Sequence, residues 1–267
     1  MASTANVAAA GAVPRARGRN QEVLAIRVAI IVLLVVAWEL ASASGLFYRD
    51  VVPSLVAIGR ALFAVVGNPE FYHHLGVTLL EVASALAIGG ALGLVVGFAL
   101  GGSRFLAQAF EHYLYYLGPT PKIIFFPIMI MWFGVGPASK VAMGTLSCFF
   151  PIVLSVASGM RQIDPVLIRV GKSFKASRWQ TAIKIHLPAM RAPILNGVRL
   201  GLGVAIIGTL LAETKLSNVG VGYLIMQAYS VFDMPRMYAM LIVLFTLAIG
   251  ANALVGRLAG PPSVHRS

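Results

Sequence analysis

Six stretches of this chain are each long and apolar enough to cross a lipid bilayer, a passage that takes about 20 mostly apolar residues. They run roughly 24–44, 75–101, 105–133, 138–160, 194–213 and 237–258. The fold class they imply is an all-α polytopic membrane protein with six transmembrane helices. Composition agrees: 11% of the residues are charged, against about 25% in soluble domains. The net charge of +12 could suggest a nucleic-acid partner. The apolar runs argue against one and place the basic residues in loops. A single cysteine, Cys148, excludes a disulfide framework and a cysteine-cluster metal site, and the five scattered histidines do not make a zinc site.

The third run contains Pro119, Pro121 and Pro127. Proline removes a backbone donor and clashes with the preceding turn, so this run reads as a kinked helix or a helix plus a short second piece. Fourteen Lys and Arg fall on the side that carries both termini and five, Lys140 among them, on the other. The positive-inside rule then puts both termini in the cytoplasm. Residues 1–20 read as a disordered cytoplasmic tail, 21–258 as one transmembrane domain, and 259–267 as a short cytoplasmic tail. The first run has a rival reading: a basic start, an apolar core and Ala41-Ser42-Ala43 resemble a cleavable signal peptide. Its length and Glu39 favour a retained helix.

Between the first two runs, Pro53-Ser54 can cap a helix in which Leu55, Ile58, Leu62 and Val65 share a face, and Gly67-Asn68-Pro69 ends it. It reads as an amphipathic helix on the outer membrane surface or as a buried packing helix. Small residues recur four apart in three runs: Ala85, Gly89, Gly93, Gly97 and Gly101; Gly197, Gly201 and Ala205; Ala248, Asn252 and Gly256. Such stripes let helices approach closely in lipid.

Residues 161–192 are the longest polar interruption, with seven Lys or Arg and one acid, Asp164. Helix signals fill this loop. Asp164-Pro165 reads as an N-cap followed by proline at the first helical position. Leu167, Val170, Gly171 and Phe174 then share one face, with Arg169, Lys172 and Lys175 on others. Ser177-Arg178-Trp179-Gln180 fits a capping box, opening a second short helix expected to stop at Pro188. A short amphipathic helix between two spans can lie on anionic lipid or dock in a partner's groove.

This loop resembles the cytoplasmic signature of permease subunits of ABC importers: Glu-Ala-Ala, three residues, Gly, nine residues, then Ile-x-Leu-Pro. Ile185-His186-Leu187-Pro188 matches its end, and Lys175-Ala176-Ser177-Arg178-Trp179-Gln180 is similar to a segment of the branch that imports nitrate, sulfonates and taurine. Trp132-Phe133-Gly134-Val135-Gly136 with Ser139-Lys140, Phe149-Phe150-Pro151-Ile152, Ala212-Glu213 and Gly220-Val221-Gly222-Tyr223-Leu224 extend the likeness over roughly 24–258. Two departures stand out. Glu-Ala-Ala falls on Arg169-Val170-Gly171 and the family's Gly on Lys175; Glu81 stands where the family commonly has a basic residue.

The resemblance implies a type I ABC importer permease fold with a cytoplasmic coupling helix in a bacterial inner membrane. The chain would translocate a small solute, such as the anions nitrate or a sulfonate, or taurine, by alternating access. It would bind no cofactor, since no Gly-x-x-x-x-Gly-Lys-Ser/Thr loop occurs here. ATP would be used by partners: two ATP-binding cassette subunits, beside a second permease chain and an extracytoplasmic solute-binding protein. Leu167, Arg169, Val170, Gly171, Phe174, Lys175, Ala176 and Ser177 would form the docking surface, and Ile185, Leu187 and Pro188 close the motif.

Intramembrane ionisable groups are functional candidates by default. Lys122, Arg199, Thr209 and Glu213 are the pathway candidates. Each has a plainer reading: Lys122 and Arg199 snorkel to headgroups, Thr209 bonds between helices, and Glu213, like Glu81 and Glu111, faces water near a span end. His73 and His74 read as solvated. An ion-coupled secondary transporter is the competing class, but no repeated halves are evident and such a protein needs no capped cytoplasmic loop. No HExxH, GxSxG or paired-aspartate motif sits on a span to support an intramembrane enzyme.

Overall fold

The computed structural model describes residues 16–47 and 51–258, and every regular element among them is helical. The expected tails fall mostly outside: 1–15 and 259–267 are not among the described residues, nor are Arg15, Arg49 and Arg266 of the charge count, whereas 16–20 open the first helix. Among the described residues five helices are long and apolar enough to span a bilayer, and a bent pair counted as one span makes a sixth.

The chain divides into two compact units, Met1–Ala57 and Ile58–Ser267. In the first, α1 (Ala16–Ala43) exposes a run of large apolar side chains from Val23 to Val36, as a lipid-facing helix does. Its last turns are tied to the following loop. The Trp38 indole donates to the Pro53 carbonyl at 3.0 Å, and Glu39 accepts the Leu55 N–H at 2.8 Å. Ser54 accepts the Ala57 N–H at 3.3 Å. Glu39 and Ser54 together satisfy two of the orphan donors at the start of α2 (Leu55–Gly67), which explains an acid at the end of an apolar run.

In the second unit, Ile58 and Val65 of α2 are buried. Val65 joins a core with Phe71, Val221, Leu224 and Met240, so this face of α2 is a packing face. Asn68 caps α3 (Pro69–Gly102) by accepting the Glu70 N–H. That cap starts α3 six residues before the apolar run expected at 75.

The centre of the unit is α6 (Pro137–Arg161), held between α3 and α10 (Arg191–Lys215). The stripe on α3 meets a stripe on α6 residue for residue: Gly89 faces Cys148, Gly93 faces Ile152, Gly97 faces Val156 and Gly101 faces Met160. A Cβ on Gly93 would lie 2.8 Å from Ile152 Cγ2 and 3.3 Å from the Phe149 carbonyl. From the other side, Gly201 of α10 also rests on Ile152, and Gly197 on Ser155. The pairings run in register along α3 and α6 and in reverse along α10. Thus α3 and α6 are parallel, and α10 is antiparallel to both.

Parallel neighbours require a return crossing between them. That return is the bent pair α4 (Arg104–Leu117) and α5 (Phe126–Phe133), the latter preceded by a 3-10 turn at Lys122–Phe125, with a bend of 94°. Pro119 and Pro121 withhold donors at the break. Pro127 does not kink anything: it occupies the first turn of α5, where proline is tolerated.

Two shorter-range features complete the unit. α11 (Val221–Ser230) packs on α10 and on α12 (Met234–Leu258). The third small-residue stripe is not a close helix contact. Its Asn252 and Gly256 receive the side chain of Arg199.

A Gly93→Val substitution is expected to destabilise the folded chain by about 1–3 kcal/mol, because it overpacks a contact made partly of backbone. Gly76→Ala on the same helix, with nothing within 4 Å of the new Cβ, is expected to be neutral or slightly stabilising. Thermal unfolding of the detergent-solubilised protein compares the two.

Candidate functional site

The loop after α6 folds as a closed corner. α7 (Pro165–Ser173) is capped by Asp164, whose carboxylate accepts the Val166 N–H at 2.8 Å. α7 ends where Lys175 takes a φ of 50°. The Ala176 N–H then bonds the Gly171 carbonyl and the Lys175 N–H bonds the Lys172 carbonyl, both at 2.9 Å, which is the Schellman arrangement. Ser177 accepts the Gln180 N–H at 3.2 Å while Gln180 accepts the Ser177 N–H at 2.9 Å, a reciprocal capping box that opens α8 (Arg178–Thr181).

The position of the family's glycine is therefore the one residue in this corner with a left-handed backbone. Lysine occupies it at a cost of about 1–2 kcal/mol relative to a right-handed residue. Gly171 does not join Leu167, Val170 and Phe174 on the outer face. It is buried, and a Cβ there would sit 2.7 Å from Ile185 Cδ1. Ile168 and Ile185 pack with Ile163 and Met190 into the core that contains Ile152. The outer face is left uncovered: Phe174 is 83% exposed, Val170 47% and Leu167 46%. Arg169, Lys172 and Lys175 are exposed around it.

The second loop helix does not stop at Pro188. α8 widens into a π-turn at Ala182–His186 and continues through α9 (Leu187–Ala189) toward α10. Pro188 offers no N–H to the turn before it, and a wider turn accommodates its ring. Leu187 and Pro188 are exposed, whereas Ile185 is half-buried. The loop is joined to both long helices. Ser155 of α6 donates to the Pro193 carbonyl of α10 at 2.8 Å, and Gly159 admits the Pro193 ring.

The opposite ends of α3, α6 and α10 enclose a buried polar cluster. Glu213 is 1% exposed, Glu81 2% and Lys140 1%, so none faces water as its place near a span end suggested. Thr78 donates its hydroxyl to Glu213 Oε1 at 2.7 Å and accepts the Val221 N–H at 2.8 Å. The Gly222 N–H donates to Glu213 Oε2 at 2.6 Å. His74, also buried, accepts the Gly220 N–H on Nδ1 at 3.0 Å, while His73 is exposed. Gly220 has a φ of 106°, and a side chain on it would run into the Glu213 carboxylate. The Ala-Glu and Gly-x-Gly-Tyr-Leu segments are thus two halves of one turn that closes on a carboxylate. The Trp-Phe-Gly segment works similarly. Gly134 ends α5 with a φ of 75°, Ser139 donates to the Gly136 carbonyl at 2.9 Å, and Lys140 donates to the Val135 and Gly136 carbonyls.

His74, Thr78, Glu81 and Lys140 are absent from the candidates read off the sequence. A signal for three of them exists. His74, Thr78 and Glu81 continue the Ala85–Gly101 stripe of α3 toward its N-terminus on the same helix face, at three- and four-residue steps.

The remaining pathway candidates are separated. Lys122 caps the broken span, donating to the Gly118 and Thr120 carbonyls with its ammonium 5.0 Å from the Phe150 ring centre. Thr209 is fully buried against Gly144, its hydroxyl without a hydrogen-bond partner. Arg199 is exposed and donates to Asn252 at 2.7 Å. Glu111, on α4, pairs with Arg161 at the end of α6 at 2.5 Å.

The family described as binding-protein-dependent transport system inner membrane component matches residues 89–260. The chain belongs to this family. The permease is 30% identical over 238 residues to the taurine transport system permease protein TauC of Escherichia coli, covering 86% of each chain. It is 29% identical over 211 residues to SsuC of Bacillus subtilis, named for aliphatic sulfonates transport, covering 79% of this chain and 76% of the relative. It is 27% identical over 228 residues to the riboflavin transport system permease protein RibX of Chloroflexus aurantiacus, covering 85% of each. The family resemblance carried by the loop and the glycine motifs is thereby borne out, and the chain is a multi-pass inner-membrane permease.

Replacing Lys175 of the permease with Gly is expected to raise stability by up to about 1 kcal/mol, since Gly adopts this backbone without a Cβ penalty. Lys175→Val is expected to lower it by a similar amount. The midpoint of thermal unfolding reads both.

Proposed function

We propose that this permease forms the translocation path of an ATP-driven importer for a small sulfonate-type anion. Two copies of the chain surround the path. ATP is hydrolysed by separate cassette subunits, and an extracytoplasmic binding protein delivers the solute. The observation that carries the reading is the preformed corner at 164–180, with Leu167, Val170 and Phe174 uncovered and Arg169, Lys172 and Lys175 around them. An exposed apolar face with a basic rim fits a partner's groove, and Ala176 and Ser177 set its angle. The excess of basic residues on this side of the membrane puts the corner in the cytoplasm, where the cassette subunits and ATP are.

The mechanical part follows from the packing. Closure of the ATPase pair moves α7. Ile168 and Ile185 transmit that movement to Ile163 and Met190, and hence to α6 and α10. The glycine stripes let α3, α6 and α10 shift as smooth surfaces, the material of alternating access. Among the four pathway candidates we assign the anion contact to Arg199, because it is exposed and Asn252 holds its guanidinium against α12. Lys122 gives its ammonium to the Gly118 and Thr120 carbonyls, Glu213 accepts the Thr78 hydroxyl and the Gly222 N–H, and Thr209 is enclosed against Gly144. The sulfonate class comes from the names of the taurine and sulfonate relatives.

Phe174→Asp and Val170→Asp are expected to reduce ATP-dependent solute uptake by at least about tenfold, the effect of desolvating a charge in an apolar interface. Both chains are expected to insert and fold normally, because these side chains are exposed in the isolated subunit. Uptake into proteoliposomes containing the co-purified ATPase and binding protein measures this. Normal uptake by both variants refutes the docking surface, and purification from membranes without any ATPase subunit refutes the importer reading. Binding of taurine, alkanesulfonates and riboflavin to the binding protein decides the solute class.

A further inference from the structure

Glu81 is the one member of the buried cluster whose chemistry the packing leaves unfinished. Both its carboxyl oxygens are buried and neither meets a hydrogen-bond donor. What its carboxyl adjoins is the carboxyl of Glu213, with the Lys140 ammonium in electrostatic range of both. Two carboxylates side by side, shielded from water, cannot both stay ionised at modest cost.

Every charged or titratable group around Glu81 has an identified part. On α10, Glu213 accepts the Thr78 hydroxyl on one oxygen and the Gly222 N–H on the other. Its lone pairs are committed to donors, so it is the acceptor of the pair. On α6, Lys140 offers a single positive charge, and its ammonium already caps Val135 and Gly136. On α3 itself, His74 uses Nδ1 to receive the Gly220 N–H. One ammonium balances one carboxylate. The second carboxyl needs one more positive charge, and its burial excludes a group from another chain.

We infer that Glu81 is a proton-binding site: it carries a proton and donates it to Glu213, so that Lys140 and Glu213 form the charged pair and Glu81 the neutral acid. The proton completes the α3–α10 contact, which otherwise joins two acceptors. A carboxylic acid in this role is a donor to an anion, and it links α3 to α10 through one hydrogen atom.

The test is infrared difference spectroscopy on the full-length permease in lipid nanodiscs at neutral pH, wild type against Glu81→Gln. The expected result is a carbonyl band of a protonated, water-excluded carboxylic acid in the wild type that is missing in the variant. Loss of a carboxylate band alone, with no carboxylic acid band, overturns the assignment. Thermal unfolding gives a second reading that needs no transport. Glu81→Gln keeps a donor toward Glu213 and is expected to melt near wild type. Glu81→Leu takes one donor from the buried Glu213 carboxylate and is expected to melt several degrees lower. A leucine variant that melts at or above wild type overturns the assignment as well. Neither measurement depends on the importer reading, so the two proposals fail separately.

Discussion

Backbone proximity among α3, α6 and α10 is the constraint from which the rest of this structure follows. Lipid supplies no hydrophobic drive between helices, so close van der Waals contact must hold them. Ile152 shows how: its branched side chain lies against Gly93 on one side and Gly201 on the other. A helix gripped in this way on two faces fixes the directions of its neighbours. It also forces the chain to cross back between α3 and α6, and the return is the segment broken by Pro119 and Pro121. Lys122 bridges that break by giving its ammonium to the Gly118 and Thr120 carbonyls.

The same three helices carry different chemistry at their two ends. At one end, Ser155, Pro193, Gly159 and Met190 lock α6 to α10 beside the loop corner. At the other, Glu213 gathers Thr78 of α3 and the backbone of the turn leading into α11. In the apolar middle, Thr145 and Cys148 of α6 reach the Ala85 carbonyl of α3 at 3.3 and 3.5 Å, and the buried Thr209 hydroxyl meets no partner. The helices are thus pinned at the ends by short directional bonds and joined between them mainly by non-directional contact. Contacts of the second kind resist sliding least.

Much of this was legible in the sequence, for physical reasons that differ by element. The long spans were readable because length and apolarity are local properties. The loop corner was readable because Asp164, Pro165, Ser177 and Gln180 act on donors two or three residues away. The stripes on α3 and α10 announced close contact, although not with which helix. The burial of Lys140, Glu81 and Glu213 was not readable. A charge near the end of an apolar run looks wet until the turn that folds over it is known, as the Gly220 turn folds over His74 and Thr78 from 146 and 143 residues away. The stripe on α12 misled for a related reason: Gly256 makes room for the long side chain of Arg199, not for a helix. Pro188 misled as a stop signal because a π-turn can absorb it.

The Lys175 corner has a thermodynamic consequence for association. Its Schellman bonds and its capping box close without help from any other molecule, so Leu167, Val170 and Phe174 are already fixed relative to one another in the lone chain. Binding to such a surface orders little more than side-chain rotamers. A disordered segment of the same composition would lose backbone freedom at every encounter, and that loss would be subtracted from its affinity. A partner can therefore hold this corner firmly through a small area of contact, and the rigidity that makes it a good grip also makes it a stiff lever.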